Sequence, residues 1–217
     1  MRKNKVVISN LDDTAENTAQ KMIQGEQVLK QFFSGLDINM TSEQLNVFLH
    51  FFVQKHLAKD EFFIREGSVN HDIFFILKGI MRSYIIDEEG NETNLDFYQE
   101  NKLFSGSYSF GLETIVNVQC LEDCTIIMAD GGDFISIINS FNPTANVYNY
   151  TLDNIYKCSM LKLASYIRLN GIDRYKLFLE NYPGLANRIP LYHIANHLGI
   201  SSVQLSRIRA IISKQGT

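Results

Sequence analysis

The side chains best suited to chemistry lie in the last thirty residues, and the chemistry they suit is recognition rather than bond-making. Gln204 and Arg207 sit three apart. A glutamine amide can pair with adenine N6 and N7, and an arginine guanidinium with guanine O6 and N7. Arg188, Arg209 and Lys214 are suited to holding phosphates, contacts that orient a protein on a duplex without reading its sequence. From Arg188 to Thr217 there is no acidic residue. Other constellations carry less. His193 and His197 stand four apart, a metal-ligand spacing on a helix, but no Glu lies between them and no third ligand is evident nearby. His56 and His71 are fifteen apart and close to turns, without the His-x-His of a cupin-type metal enzyme. Asp87-Glu88-Glu89-Gly90 reads as a solvated hairpin turn. No catalytic residue, metal site or cofactor is expected.

The spacing around Gln204 and Arg207 predicts two short helices joined by a tight turn. Pro190 suits a first helical turn. Ala195 is small where two helices must cross closely, and Gly199, four residues on, can take the left-handed conformation that the turn demands. Ile194, Leu198, Ile200, Leu205 and Ile208 supply a buried face, and Ser201 or Ser202 caps the second helix. This is a helix-turn-helix, whose second helix enters a major groove with its N-terminal residues at base edges. The acid-free outer face weighs against a plain αα-hairpin.

The overall charge of −4 hides an asymmetry. Residues 1–152 hold 11 basic and 21 acidic residues, a net of −10, whereas residues 153–217 hold 9 and 3, a net of +6. One half of the chain repels a polyanion and the other attracts it. Near the N-terminus the longest apolar run is Val6-Val7-Ile8, too short for a signal peptide, and no later run could span a bilayer. A cytoplasmic protein without a membrane partner is expected. Cys120, Cys124 and Cys158 form no CxxC pair, and an iron–sulfur cluster wants about four thiolates, so reduced thiols acting as small hydrophobes are expected.

Residues 1–25 are polar and lack a stripe, reading as a mobile extension or a weakly held helix. Thr41 and Gln44 form a capping-box pattern ahead of a helix over 42–53. From Lys55 the apolar period becomes two, with short segments at 62–64, 73–77, 80–86, 93–98, 116–121 and 125–128 separated by turns at Gly67, Gly79, Gly90 and Glu122-Asp123. Many short strands so spaced mean a barrel, sandwich or roll. Leu152, Tyr156, Met160, Leu163 and Ile167 then recur at helical spacing, a stripe that needs its own domain or the same helix of a second subunit. Gly171 is expected to end this helix, and Asp173 to cap a shorter one that Pro183-Gly184 stops.

Taken together, Arg65-Glu66-Gly67, the stretch Asp72–Gly79, Leu121-Glu122-Asp123-Cys124 and Pro190–Arg209 resemble the Crp/Fnr family of bacterial regulators, from about Glu26 to Lys214. The resemblance implies an α+β fold. After an extension over 1–25 come an N-terminal, jelly-roll-like β-roll sensor domain of the cyclic-nucleotide-binding type (26–142), a long dimerisation helix (143–170) and a C-terminal helix-turn-helix domain (171–217). It places base-reading positions at Ser202, Val203, Gln204 and Arg207. It implies a homodimer bound to double-stranded promoter or operator DNA, leaving room for an unidentified small-molecule effector and for RNA polymerase. A β-roll module that binds a ligand or a protein without binding DNA is the alternative.

The departures from that family matter too. Members that bind cyclic nucleotide hold the ribose with a Gly-Glu pair and the phosphate with an Arg followed by Ser or Thr. Here Gly106 precedes Ser107, and Ile115 stands near the place of the Arg. A buried phosphate without a charged partner costs several kcal/mol, so cyclic AMP is not expected to bind. Arg82 is the one residue that could reach an effector from its strand, or else cover apolar surface with its head in water. The cysteine pattern of oxygen-sensing members is missing, and the sequence after the recognition helix offers no β-hairpin wing.

Overall fold

The computed structural model describes residues 15–35, 38–101, 103–105, 112–141 and 147–215. Helices α1 (Ala15–Ser34) and α2 (Ser42–His50) precede eight strands: β1 (Val53–Leu57), β2 (Phe62–Ile64), β3 (Asp72–Lys78), β4 (Met81–Ile86), β5 (Glu92–Tyr98), β6 (Leu103–Ser105), β7 (Asn117–Cys120) and β8 (Cys124–Asp130). Helices α3 (Gly131–Phe141), α4 (Val147–Arg168), α5 (Gly171–Asn181), α6 (Leu191–His197) and α7 (Ser202–Gln215) follow. The strands pair antiparallel in two four-stranded sheets, ordered β1-β8-β3-β6 and β2-β7-β4-β5. The mixed α and β composition is as expected.

The pleat sends alternate residues to opposite faces, and here both faces are covered. Phe74, Ile76, Met81, Val118 and Ile126 point between the sheets, where Phe63, Phe74, Phe104 and Tyr98 form a row of ring contacts with centroids 4.5, 5.8 and 4.1 Å apart. Ile73, Phe75, Ile127 and Ala129 face outward from the first sheet against α1, α2 and α3. Ile80, Phe97 and Leu121 face outward from the second sheet, against α5, α6 and α7. Gly79, at φ +107°, is required between β3 and β4, because a Cβ there would lie 2.6 Å from Cys124 Sγ.

Several expectations shift. Residues from Ala15 onward are helical, and Gly25, Val28, Leu29 and Phe33 are buried, so of the two readings of residues 1–25, mobile extension or weakly held helix, the helix holds from Ala15. The helix α3 was not expected; Asp130 caps it by accepting from the Gly132 and Asp133 N–H groups. Gly171 opens α5 rather than ending α4 in isolation, and the cap is Asn170, not Asp173: its Oδ1 accepts from the N–H groups of Ile172 and Asp173. A side-chain acceptor just before the first turn fits that role better than a residue inside it. Cys120 and Cys124 are buried as expected, but Cys158 is exposed on α4.

Candidate nucleic-acid interface

Helices α6 and α7 are joined by the tight turn Leu198–Ser201. Gly199 adopts φ +64°, which lets the chain reverse. Ser201 is the cap: its Oγ accepts from the Gln204 N–H at 3.1 Å, and its own N–H donates to Gln204 Oε1 at 2.9 Å, a reciprocal capping box. Ile194, Ala195, Leu198, Leu205 and Ile208 are buried together with Tyr175 and Phe178 of α5. This core fixes α7 so that Ser202, Val203, Gln204, Arg207, Arg209 and Lys214 are all exposed. No acidic partner holds Arg207, Arg209 or Lys214 among the described residues. Arg188 differs. Its guanidinium bonds Glu100 at 2.7 and 3.1 Å and pairs with Glu122, so those bridges must part before it meets a phosphate.

Helix α4 supplies the unpartnered stripe. Tyr156, Met160, Leu163 and Ile167 are 42–76% exposed within the chain, while Lys162 and Tyr166 on the other side meet β5 and the last residue of α6. Leu152 lies in the helix, but its side chain is outside the described residues.

Arg82 is neither in the roll interior nor in water. It leaves β4 on the outward face, stacks over Tyr84 at 3.9 Å, and is 4% exposed. It donates to Gln119 Oε1 at 2.7 and 3.2 Å, Glu92 at 2.6 Å, Asn94 Oδ1 at 3.0 Å and His193 Nδ1 at 3.2 Å. The two histidines read for their metal spacing are thus acceptors for cations, His193 for Arg82 and His197 for Lys162 Nζ at 3.2 Å. Burial first, and then the adjacent cation, lowers His193 to about 4 and His197 to about 3. Burial likewise lowers Lys162 to about 8. Both contacts are made at Nδ1, so neither Nδ1 lone pair is left for a metal ion.

Sequence reasoning missed this joint between the second sheet and helices α4–α6. Asn196 accepts from the Asn94 N–H at 2.6 Å and donates to the Glu92 carbonyl at 2.7 Å. Tyr182 donates to Asp96, and Lys162 to the Leu95 carbonyl. The rings of Phe178, Tyr182 and His197 surround Phe97. Its one sequence signal was a period-two strand carrying Arg82 on the face of Ile80 and Tyr84. In the cassette region, Gly106 and Ser107 lie outside the described residues, and Ile115 is 70% exposed.

Residues 54–141 match the cyclic nucleotide-binding domain family. No curated protein sequence matches the chain. Among solved structures, FixK2 from Bradyrhizobium japonicum aligns with TM-score 0.66 at 14% identity, over 76% of this chain and 86% of that one. A CooA mutant from Carboxydothermus hydrogenoformans aligns with TM-score 0.62 at 18% identity, over 78% and 80%. The c-di-GMP responsive global regulator CLP of Xanthomonas campestris aligns with TM-score 0.59 at 13% identity, over 81% and 93%. The chain shares its fold with these proteins. No described helix is long and apolar enough to cross a membrane.

Proposed function

We propose that this protein is a homodimeric, sequence-specific DNA-binding transcription regulator of the Crp/Fnr type that does not respond to cyclic AMP. The observation that carries the reading is the exposed outer face of α7, where Gln204 and Arg207 follow a capped N-terminus and, among the described residues, no acid pairs with Arg207. Ser202, Val203, Gln204 and Arg207 read base edges, while Arg209, Lys214 and a released Arg188 hold phosphates. The fold shared with a protein described as a global regulator supports this reading. So does the stripe Leu152, Tyr156, Met160, Leu163 and Ile167, which a second copy would cover. Two matching half-sites would then lie about one helical turn apart.

Loss of cyclic AMP response rests on Arg82, which faces the helix-turn-helix rather than the roll interior, and on aromatic rings that occupy that interior. A different effector inside the roll would find the Ser83 hydroxyl, buried without a hydrogen-bond partner. Calorimetric titration with millimolar cyclic AMP should give no saturable heat; one site per subunit would overturn this part.

Arg207→Ala should cost about 1–3 kcal/mol of specific binding and relax preference at one base pair per half-site. Lys214→Ala should weaken binding to all sequences and slightly flatten the salt dependence. Selection from a randomised duplex pool distinguishes the two, and identical sequence preferences would show that Arg207 is not a base reader. Leu163→Asp should convert the dimer to a monomer by light scattering; an unchanged dimer would assign the interface to another face.

A further inference from the structure

The outer face of α7 has an order that its buried side dictates. Leu205, Ile208 and Ile212 turn inward. At about 100° of rotation per residue, the direction opposite to them is taken by Val203, Arg207, Ala210 and Lys214, all of which are exposed. Gln204 is off this line. It stands about 100° to one side of Val203, its Oε1 accepts from the Ser201 N–H, and it lines a cleft bordered by Thr93, Asn94 and Leu95 of β5. The outward line therefore starts at Val203.

Nothing in the fold calls for a valine there. Val203 is 62% exposed, so it adds little to the core. A β-branched residue loses rotamer freedom in a helix, so it does not favour the first turn either. Single exposed apolar residues are common on protein surfaces; this one is set apart by its place opposite the core, one turn ahead of Arg207. It offers a small, rigid apolar surface on the line along which a duplex would approach. Thymine is the base whose major-groove edge carries an apolar group, the C5-methyl. The neighbours suit a close approach. Ala210 has almost no side chain to hold the two backbones apart, and the charges on α7, from Arg207, Arg209 and Lys214, are all basic.

We propose that Val203 is a specificity-determining residue that reads a thymine methyl, beside the guanine read by Arg207. The proposal rests on the DNA-reading function above and names part of the sequence which that function selects. Four residues of helix rise about 6 Å, against roughly 3.4 Å per nucleotide along one strand. The thymine and the guanine thus stand about two base pairs apart in each half-site.

The test uses the full chain and a pool of duplexes randomised over about 30 base pairs, long enough for two half-sites. Selection with the wild type gives the bound sequence, and Arg207→Ala marks the guanine by losing preference for it. Each thymine of one half-site is then replaced singly by deoxyuridine, which removes the methyl and keeps the hydrogen-bonding edge, and affinity is read by fluorescence anisotropy. At one thymine, within about three base pairs of that guanine, deoxyuridine should weaken wild-type binding about fourfold, the cost of one buried methyl. Val203→Ala should bind the thymine and deoxyuridine duplexes nearly equally while keeping its preference for the guanine. A selected site with no guanine that depends on Arg207, or whose nearby thymines all tolerate deoxyuridine, would overturn the proposal and leave sequence-specific binding standing; the deoxyuridine arm needs no variant. An equal deoxyuridine loss in Val203→Ala would assign the methyl contact to another residue. A wild type that enriches no sequence would overturn the DNA-reading function, and this proposal with it.

Discussion

Both sheets of the roll are covered on the outside by helices, and the two covers are built differently. Over the first sheet, Phe32, Phe33, Phe48, Phe52, Phe75 and Phe134 pack ring against ring with centroids 5.2–6.4 Å apart. Among the described residues, no charged or histidine side chain is buried with them. Over the second sheet, apolar contacts at Ile80, Phe97 and Leu121 are interleaved with Arg82, Asn94, His193, Asn196 and His197. Apolar burial is non-directional and tolerates small shifts, so the first cover is a structural wall. Hydrogen bonds between buried polar groups exist in one register only, and each orphaned group is costly. The second cover therefore has a defined closed position and a defined cost of opening, which suits a joint.

The largest expected effect is on the wall. Phe75→Ala should lower global stability by about 3–5 kcal/mol, from lost burial and the cavity left behind, seen as a lower urea midpoint for the whole chain. If only the first cover frayed while the remainder unfolded as before, the two regions would be more independent than their shared strands suggest.

Acid should find the joint and spare the wall. His193 and His197 titrate at about 4 and about 3 in the folded chain against an ordinary value near 6.5. The unfolded chain therefore takes up protons first as pH falls. Stability is complete above about pH 6.5 and is lost on the way down to 4 and 3. Between pH 6 and 5 the slope should approach two protons, about 2.7 kcal/mol per pH unit, in urea melts. His193→Gln should remove about half of it; an unchanged slope would show that this imidazole is not the group titrating.

A smaller effect is expected at the rim of the joint. Tyr182, whose phenol is pushed up chiefly by burial and then by Asp96, donates to that carboxylate. Tyr182→Phe should cost about 1 kcal/mol and leave the wall's exchange protection unaltered.

Much of this was legible wherever the signal is local. The capping box at Thr41 and Gln44, the glycine turns at 67, 79 and 90, and the residues from Pro190 to Arg209 each announce an element within a few positions. The N-terminal turns of α1 were legible only as one of two alternatives, because Gly25 and a polar sequence mask a helix whose later turns are held by packing on α2 and β3. The joint was illegible for a different reason. Arg82 and His193 are 111 residues apart, and neither a strand arginine nor a histidine pair at i, i+4 names its partner. The same spacing that would suit a metal aligns two acceptors with two cations.

Asn196 has a consequence for synthesis. The roll is translated before α6, so β5 is made with the Asn94 N–H and Glu92 carbonyl bare until residue 196 follows, roughly 5–20 s later at ordinary elongation rates. During that interval the strand is an open template for pairing with another nascent chain. The exposed tip Asp87–Glu92 puts charge at the start of that edge, which disfavours such pairing, and the arrival of the C-terminal helices covers it.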